Sequence, residues 1–341
     1  MTAHDIDSTT VFYSWQSDLD RSATRSFVER CLEEACKCVG NKISCEVVVD
    51  QDGRDEAGSP EIPDVVQRKI LRAVAFVADL SIVARRPGGR GLINSCVAIE
   101  WGWAEQALGS EAMIGVMNTD YGQPEDLPID IRQNLIRTTY LLKEGADSET
   151  NRKVASKLAD DLNKELEDAV IRRYFSGLHP SSTRLIAGIV KSSEYGLRSE
   201  LDVEQLASKY GISIAEVEAI GEDLQRLGLA ALVVDKIDFS PKVFERFDPL
   251  YMGWNAERDS MIVAKHLAER GEIYPSTYAA ELGWQPRRLN PAIFRLVRNG
   301  LVLDSKAYVA ESHFFTAQIN RNNLTRAFAE GRLRVPSVLG E

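Results

Sequence analysis

Val74-Ala-Phe-Val-Ala-Asp79 is the stretch that decides how this chain folds. Five apolar residues run without interruption and stop at a carboxylate. The run is too short for a helix and lacks the alternation of a strand with one wet face, so it reads as a strand buried on both sides. Strands of that kind belong to parallel sheets covered by helices on both faces. Upstream, Ser59-Pro60 fits an N-cap followed by Pro at the first helical position, and predicts a helix to about Ala73. Before it, residues 43–49 predict a second strand and Thr9-Thr-Val-Phe-Tyr-Ser14 a first. Between them, residues 21–39 carry Phe27, Cys31, Leu32, Ala35 and Val39 at helical spacing. Downstream, Asn94 caps a helix that ends near Gly109, and strands follow at 112–117 and 136–142 with a short helix at 130–134. This alternation predicts an α/β fold, a doubly wound five-stranded parallel sheet with right-handed crossovers. Ligands of such sheets sit beyond the carboxyl ends of the strands. Here those ends are Ser14–Asp18, Asp50–Gly58, Asp79–Ser81 and Asn118–Tyr121.

Composition narrows the classes. A chain of 341 residues exceeds one average domain. No run of about 18 apolar residues offers a membrane span, and the acidic start Met1-Thr-Ala-His-Asp-Ile-Asp7 is unlike a secretory leader. The five cysteines are odd in number and form no C-x-x-C pair, which argues against a disulfide framework or a zinc site. The four histidines are scattered, so no metal is expected. Cytoplasm is the expected compartment. Residues 1–180 hold 21 basic and 30 acidic side chains, against 20 and 21 in residues 181–341. The first half is thus too acidic to hold nucleic acid by itself.

One residue in the first half resists a structural explanation. In Asn94-Ser-Cys-Val-Ala-Ile-Glu-Trp-Gly-Trp-Ala104, a single carboxylate, Glu100, interrupts an apolar helix. Cys96 beside it reads as a small buried apolar residue. Taken with Val11-Phe-Tyr-Ser-Trp-Gln-Ser-Asp18, Gly58-Ser-Pro60 and Val77-Ala-Asp-Leu-Ser81, this stretch resembles the bacterial TIR-like family and the related nucleoside 2-deoxyribosyltransferase-like group. The resemblance covers roughly residues 9–145. It implies a TIR-like, flavodoxin-like sheet and, for many relatives, NAD cleavage in anti-phage defence. Carried over by position, it makes Glu100 the catalytic glutamate. Asp79 and Ser81 match the Asp-x-Ser/Thr segment after the third strand, and Ser14 to Asp18 match the loop after the first. The family's Asn-Pro-Asn-Val is Asn94-Ser-Cys-Val97 here, and its Glu-Leu-Gly-Tyr is Glu100-Trp-Gly-Trp103.

The chemistry agrees with the residues present. Cleavage of a ribosyl C–N bond passes through an oxocarbenium-like centre, which a nearby carboxylate stabilises. Tyr13, Trp15 or Trp103 would stack on a ring of NAD, and Arg85, Arg86 and Arg90 would approach its pyrophosphate. Ser14, Asp18, Ser59, Asp79, Ser81 and Asn94 complete the expected substrate site. NAD is expected as substrate, with no bound cofactor. No G-x-G-x-x-G follows a strand, so hydride transfer has no support.

The remaining chain reads as a long charged helix at 148–175, a linker, and two similar mostly helical units with a helix-turn-helix and a strand exit. Tandem winged helices are expected, giving domains at 1–176, 181–248 and 249–341. The helix at 286–299 carries Arg287, Arg288, Arg295 and Arg298, which makes DNA contact possible there but not the favoured reading; its counterpart carries Glu216, Glu218, Glu222 and Asp223. Homo-oligomer formation or docking of an activating protein is the favoured role. The alternatives are a non-catalytic nucleotide-sensing regulator that binds DNA, and a nucleoside deoxyribosyltransferase.

Overall fold

The structure is a computed structural model that describes residues 8–51, 62–86, 89–128, 131, 138–305 and 313–335. Two compact units divide the chain, Met1–Arg173 and Tyr174–Glu341.

The first unit is built on five parallel strands, β1 (Ser8–Ser14), β2 (Glu46–Asp50), β3 (Ala75–Asp79), β6 (Met113–Asn118) and β7 (Thr138–Tyr140), in the order β2-β1-β3-β6-β7. As the all-apolar run requires, β3 is central and buried throughout. The order reverses between β1 and β3, which pair in register through Val11 with Ala75 and Phe12 with Phe76. The arrangement is compatible with a doubly wound fold. Arg85 lies in, and Arg86 and Arg90 adjoin, a small antiparallel hairpin, β4 (Ala84–Arg85) and β5 (Gly91–Leu92). The expected helix start at Ser59-Pro60 lies outside the described residues, as does all but Ile131 of the expected helix at 130–134.

The period of two along each strand divides the core. Phe12, Phe76 and Ala78 face α2 (Ile62–Arg72) and α3 (Ser95–Leu108), packing with Val66, Ile70, Val97, Trp101 and Ala104. Phe76 stacks on Phe12 with centroids 5.9 Å apart and meets Trp101 edge-on at 6.2 Å. The opposite face is covered by α1 (Arg25–Ile43), whose Phe27 packs against Tyr140 of β7. This helix starts four residues later than the apolar spacing suggests. Asp20 accepts from the Ala23 N–H and from the Ser22 hydroxyl, and its carbonyl accepts from Thr24, which folds residues 20–24 into a turn first.

Near the end of α1, Gly40 is buried at its contact with β2. A Cβ there would lie 2.6 Å from the Cys45 carbonyl oxygen and 3.3 Å from the Val47 nitrogen, both backbone. Gly40→Ala is therefore expected to destabilise the first unit by about 1–3 kcal/mol through overpacking, despite alanine's better helix propensity. A lower urea midpoint at unchanged slope is the expected reading.

In the second unit, one order of elements occurs twice. The first run is α5 (Ser182–Ser192), β8 (Ser199–Asp202), α6 (Val203–Tyr210), α7 (Ile214–Arg226), β9 (Ala230–Val233) and β10 (Lys236–Phe239), with an antiparallel sheet β8-β10-β9. After α8 (Lys242–Tyr251), the second run is α9 (Ala256–Arg270), β11 (Glu272–Ile273), α10 (Pro275–Leu282), α11 (Pro286–Arg298), β12 (Val302–Asp304) and β13 (Ile319–Arg321), with the antiparallel order β11-β13-β12. The chain leaves α7 and α11 through Gly228 and Gly300, with φ of 66° and 64°, a backbone turn that glycine adopts without strain. The helix α4 (Ser148–Phe175) matches the expected long charged helix.

Candidate functional site

The site is set by the parity of β1 and by one anchor on α3. Ser14 closes β1 on the same face as Phe12, so its side chain meets α3. Trp101 buries its indole against Phe76 and fixes the rotation of α3. Glu100, one residue earlier, is thereby turned away from the core centre toward the carboxyl end of β1. Ser14 Oγ donates to Glu100 Oε2 at 2.6 Å. The pair sits where the strand order reverses, the position at which open parallel sheets bind ligands.

Asn94 caps α3 as its sequence position suggests: Oδ1 accepts from the N–H groups of Cys96 at 2.8 Å and Val97 at 3.3 Å. Its Nδ2 donates to Asp18 Oδ2 at 2.5 Å. Asp79 is fully buried beneath the loop after β1. It accepts from Gln16 Nε2 at 3.2 Å and from the Ser81 N–H at 3.0 Å. Burial pushes its carboxyl up from the ordinary aspartate value, and hydrogen bonds from Ser81 and Gln16 oppose that rise. Ser81, also fully buried, accepts from the Asn118 N–H at 2.9 Å. Asn118 in turn donates to the carbonyls of Ala23 and Leu142 at 3.1 and 2.7 Å. Asp79, Ser81 and Asn118 thus tie together the ends of β3 and β6 and the segments after β1 and β7.

Several expected positions lie elsewhere. Tyr13 is completely buried on the α1 face, the side of the sheet opposite Glu100, so it is a core residue and no wall of this site. Burial, then the nearby Asp79, raise its phenol well above the usual tyrosine value. Trp15 is half-buried with the Arg25 guanidinium 3.2 Å above its ring, so one stacking face is taken. Trp103 is half-buried and packs on the core formed with α2. Arg85 is paired with Asp126, while Arg86 and Arg90 are exposed. Ser59 lies outside the described residues. Cys96 is exposed, contrary to the expectation of burial, because α3 buries the stripe Val97, Trp101, Ala104 and Leu108 instead. Gln16 belongs to this hydrogen-bonded cluster and was not singled out by the sequence. A glutamine in a polar loop carries no pattern, and its long-range partner, Asp79, arrives only on folding.

The arginines of α11 are engaged within the second unit. They do not form a basic surface. Arg287 binds Asp248 of α8 through both terminal nitrogens at 2.6 and 2.7 Å, both residues being buried. Arg288 holds Asp259 of α9 in the same bidentate way, at 2.8 Å twice. Arg298 binds Glu245 at 3.1 and 3.2 Å, and buried Arg295 lies 3.6 Å from Glu245 and 3.5 Å from Glu257. Each guanidinium is matched to carboxylates of the same unit.

Among the described residues, no group of three or more His, Cys, Asp or Glu is placed to hold a metal ion, and no helix is long and apolar enough to cross a membrane. No protein-family model matches the chain, and a comparison with curated proteins finds no match.

Proposed function

We propose that the first unit is a TIR-like domain that cleaves NAD at the nicotinamide–ribose bond, in a bacterial anti-phage role, with Glu100 as its catalytic carboxylate. The observation that carries this reading is the Ser14–Glu100 hydrogen bond at the end of β1, at the point of strand reversal. The bond between the ribose C1′ and the nicotinamide nitrogen breaks with its electron pair moving to the ring, which leaves as neutral nicotinamide. Positive charge develops at C1′ and O4′, and Glu100 stabilises it at close range. Water then adds at C1′ and loses a proton, or a nucleophile of the same molecule closes a ring. Ser14 holds one carboxylate oxygen and so fixes the direction in which Glu100 acts.

The second unit is read as two winged-helix modules that control assembly or dock an activating protein. The twice-repeated order of elements, each run with its own three-stranded antiparallel sheet, supports this. Internal pairing of the α11 arginines favours protein docking over duplex binding. The test is nicotinamide release from NAD by the full chain, at dilute and at self-associating concentrations, with Glu100→Gln as control. Release that depends on Glu100 supports the reading. No release at any concentration, or base exchange on deoxynucleosides in its place, overturns it.

A further inference from the structure

One hydrogen bond, from Ser14 at the end of β1, reaches Glu100 of α3; a second tie joins the loop after β1 to the head of the same helix. This second bond runs from Asn94 Nδ2 to Asp18 Oδ2 at 2.5 Å. Asn94, the N-cap, and Glu100 are six positions apart, about 9 Å along the helix axis. The loop that follows Ser14 and carries Asp18 is itself held from within. Gln16 is buried; its Oε1 accepts from the backbone N–H groups of Asp18 at 2.8 Å and Leu19 at 3.1 Å, and its Nε2 donates to Asp79. Asp79 is fixed at the end of the central strand by the Ser81 N–H. A continuous path therefore leads from the end of β3 through Gln16 to Asp18, from Asp18 to Asn94, and from Asn94 into the first turn of α3 through Cys96 and Val97.

We infer that Gln16, Asp18 and Asn94 form a latch that sets the position of α3, and with it the approach of Glu100 to Ser14. They are positioning residues, acting on the reaction through Glu100. This inference rests on the reading of Glu100 as the catalytic carboxylate. Trp101 fixes the rotation of α3 through apolar contact, which tolerates sliding along the helix axis. A directional hydrogen bond at the head of the helix resists that sliding, and reacting groups tolerate displacements well below 1 Å.

The two side chains of the exposed pair allow a test by exchange. In Asn94→Asp the helix keeps a cap of equal rank, and a negative charge at a helix N-terminus is favourable, so α3 stays formed. The latch, however, then sets two carboxylates against each other and opens. Adding Asp18→Asn restores the bond with donor and acceptor reversed. Asn94→Asp is expected to lower kcat for nicotinamide release about tenfold at little-changed KM. It should also speed hydrogen exchange at the amides of Asp18 and Leu19. The double variant should bring both measurements back to near the full chain's own values. Unchanged kcat and exchange in Asn94→Asp, or a double variant no better than the single one, overturns the latch. If the full chain releases no nicotinamide but exchange changes and recovers as described, the latch stands and the functional reading alone falls.

Discussion

Glu100→Gln is expected to lower kcat for NAD cleavage by about two to three orders of magnitude, roughly 3–4 kcal/mol of transition-state stabilisation. The amide matches the carboxylate in size, and its oxygen still accepts from Ser14 Oγ, so the fold and the position of α3 are retained. What is removed is the negative charge opposite C1′. Because that charge acts on a centre that becomes positive only in the transition state, the loss falls on kcat and leaves KM little changed. Ser14→Ala removes the 2.6 Å hydrogen bond but leaves the charge, and the smaller expected loss is about tenfold. Initial rates of nicotinamide release, measured with matched melting curves, separate these outcomes. A Glu100→Gln chain as active as the unaltered one would remove Glu100 from the mechanism.

Arg287→Met is expected to destabilise the second unit by about 3–5 kcal/mol at pH 8, because it strands the buried Asp248 carboxylate. Removing both partners, as in Asp248→Leu with Arg287→Met, should cost far less, since no charge is left behind. The pH dependence has a definite sign. Burial already pushes Asp248 up to about 6 from the ordinary 3.8, and the Arg287 guanidinium opposes that rise. Without Arg287 the folded-state value climbs further above the unfolded one. Between the two values the folded protein binds more protons than the unfolded chain, so stability rises as pH falls. The deficit of Arg287→Met should therefore be largest at pH 8 and smaller at pH 5, read as urea midpoints of the single and double variants. A deficit that grows on acidification would show that Asp248 is not the stranded group.

Much of the first unit could be read in one dimension. An all-apolar run of strand length requires a two-sided parallel sheet, and Val74 to Asp79 led to β3 at its centre. An Asn at the start of an apolar run is an N-cap wherever the helix packs, and Asn94 is one. The misfit of a lone carboxylate among apolar neighbours singled out Glu100, which does meet the end of β1. These features depend on local spacing and on backbone groups a few residues away, so the sequence by itself determined them.

Other features depend on what arrives from far along the chain. Tyr13 and Ser14 are adjacent and equally suited to a site, but strand parity sends one to the α1 face and the other to Glu100. Gln16 gains its role from Asp79, which lies 63 positions away. Four arginines on one helix read as a basic surface until folding sets Glu245, Asp248, Glu257 and Asp259 of α8 and α9 against them. A charge in a sequence has no partner, and whether it faces solvent or a carboxylate is fixed only when helices pack. The sequence determined which residues cap, alternate and terminate elements. The tertiary structure alone decided which charges are matched inside the protein, because pairing is a matter of distance in space and not of position along the chain.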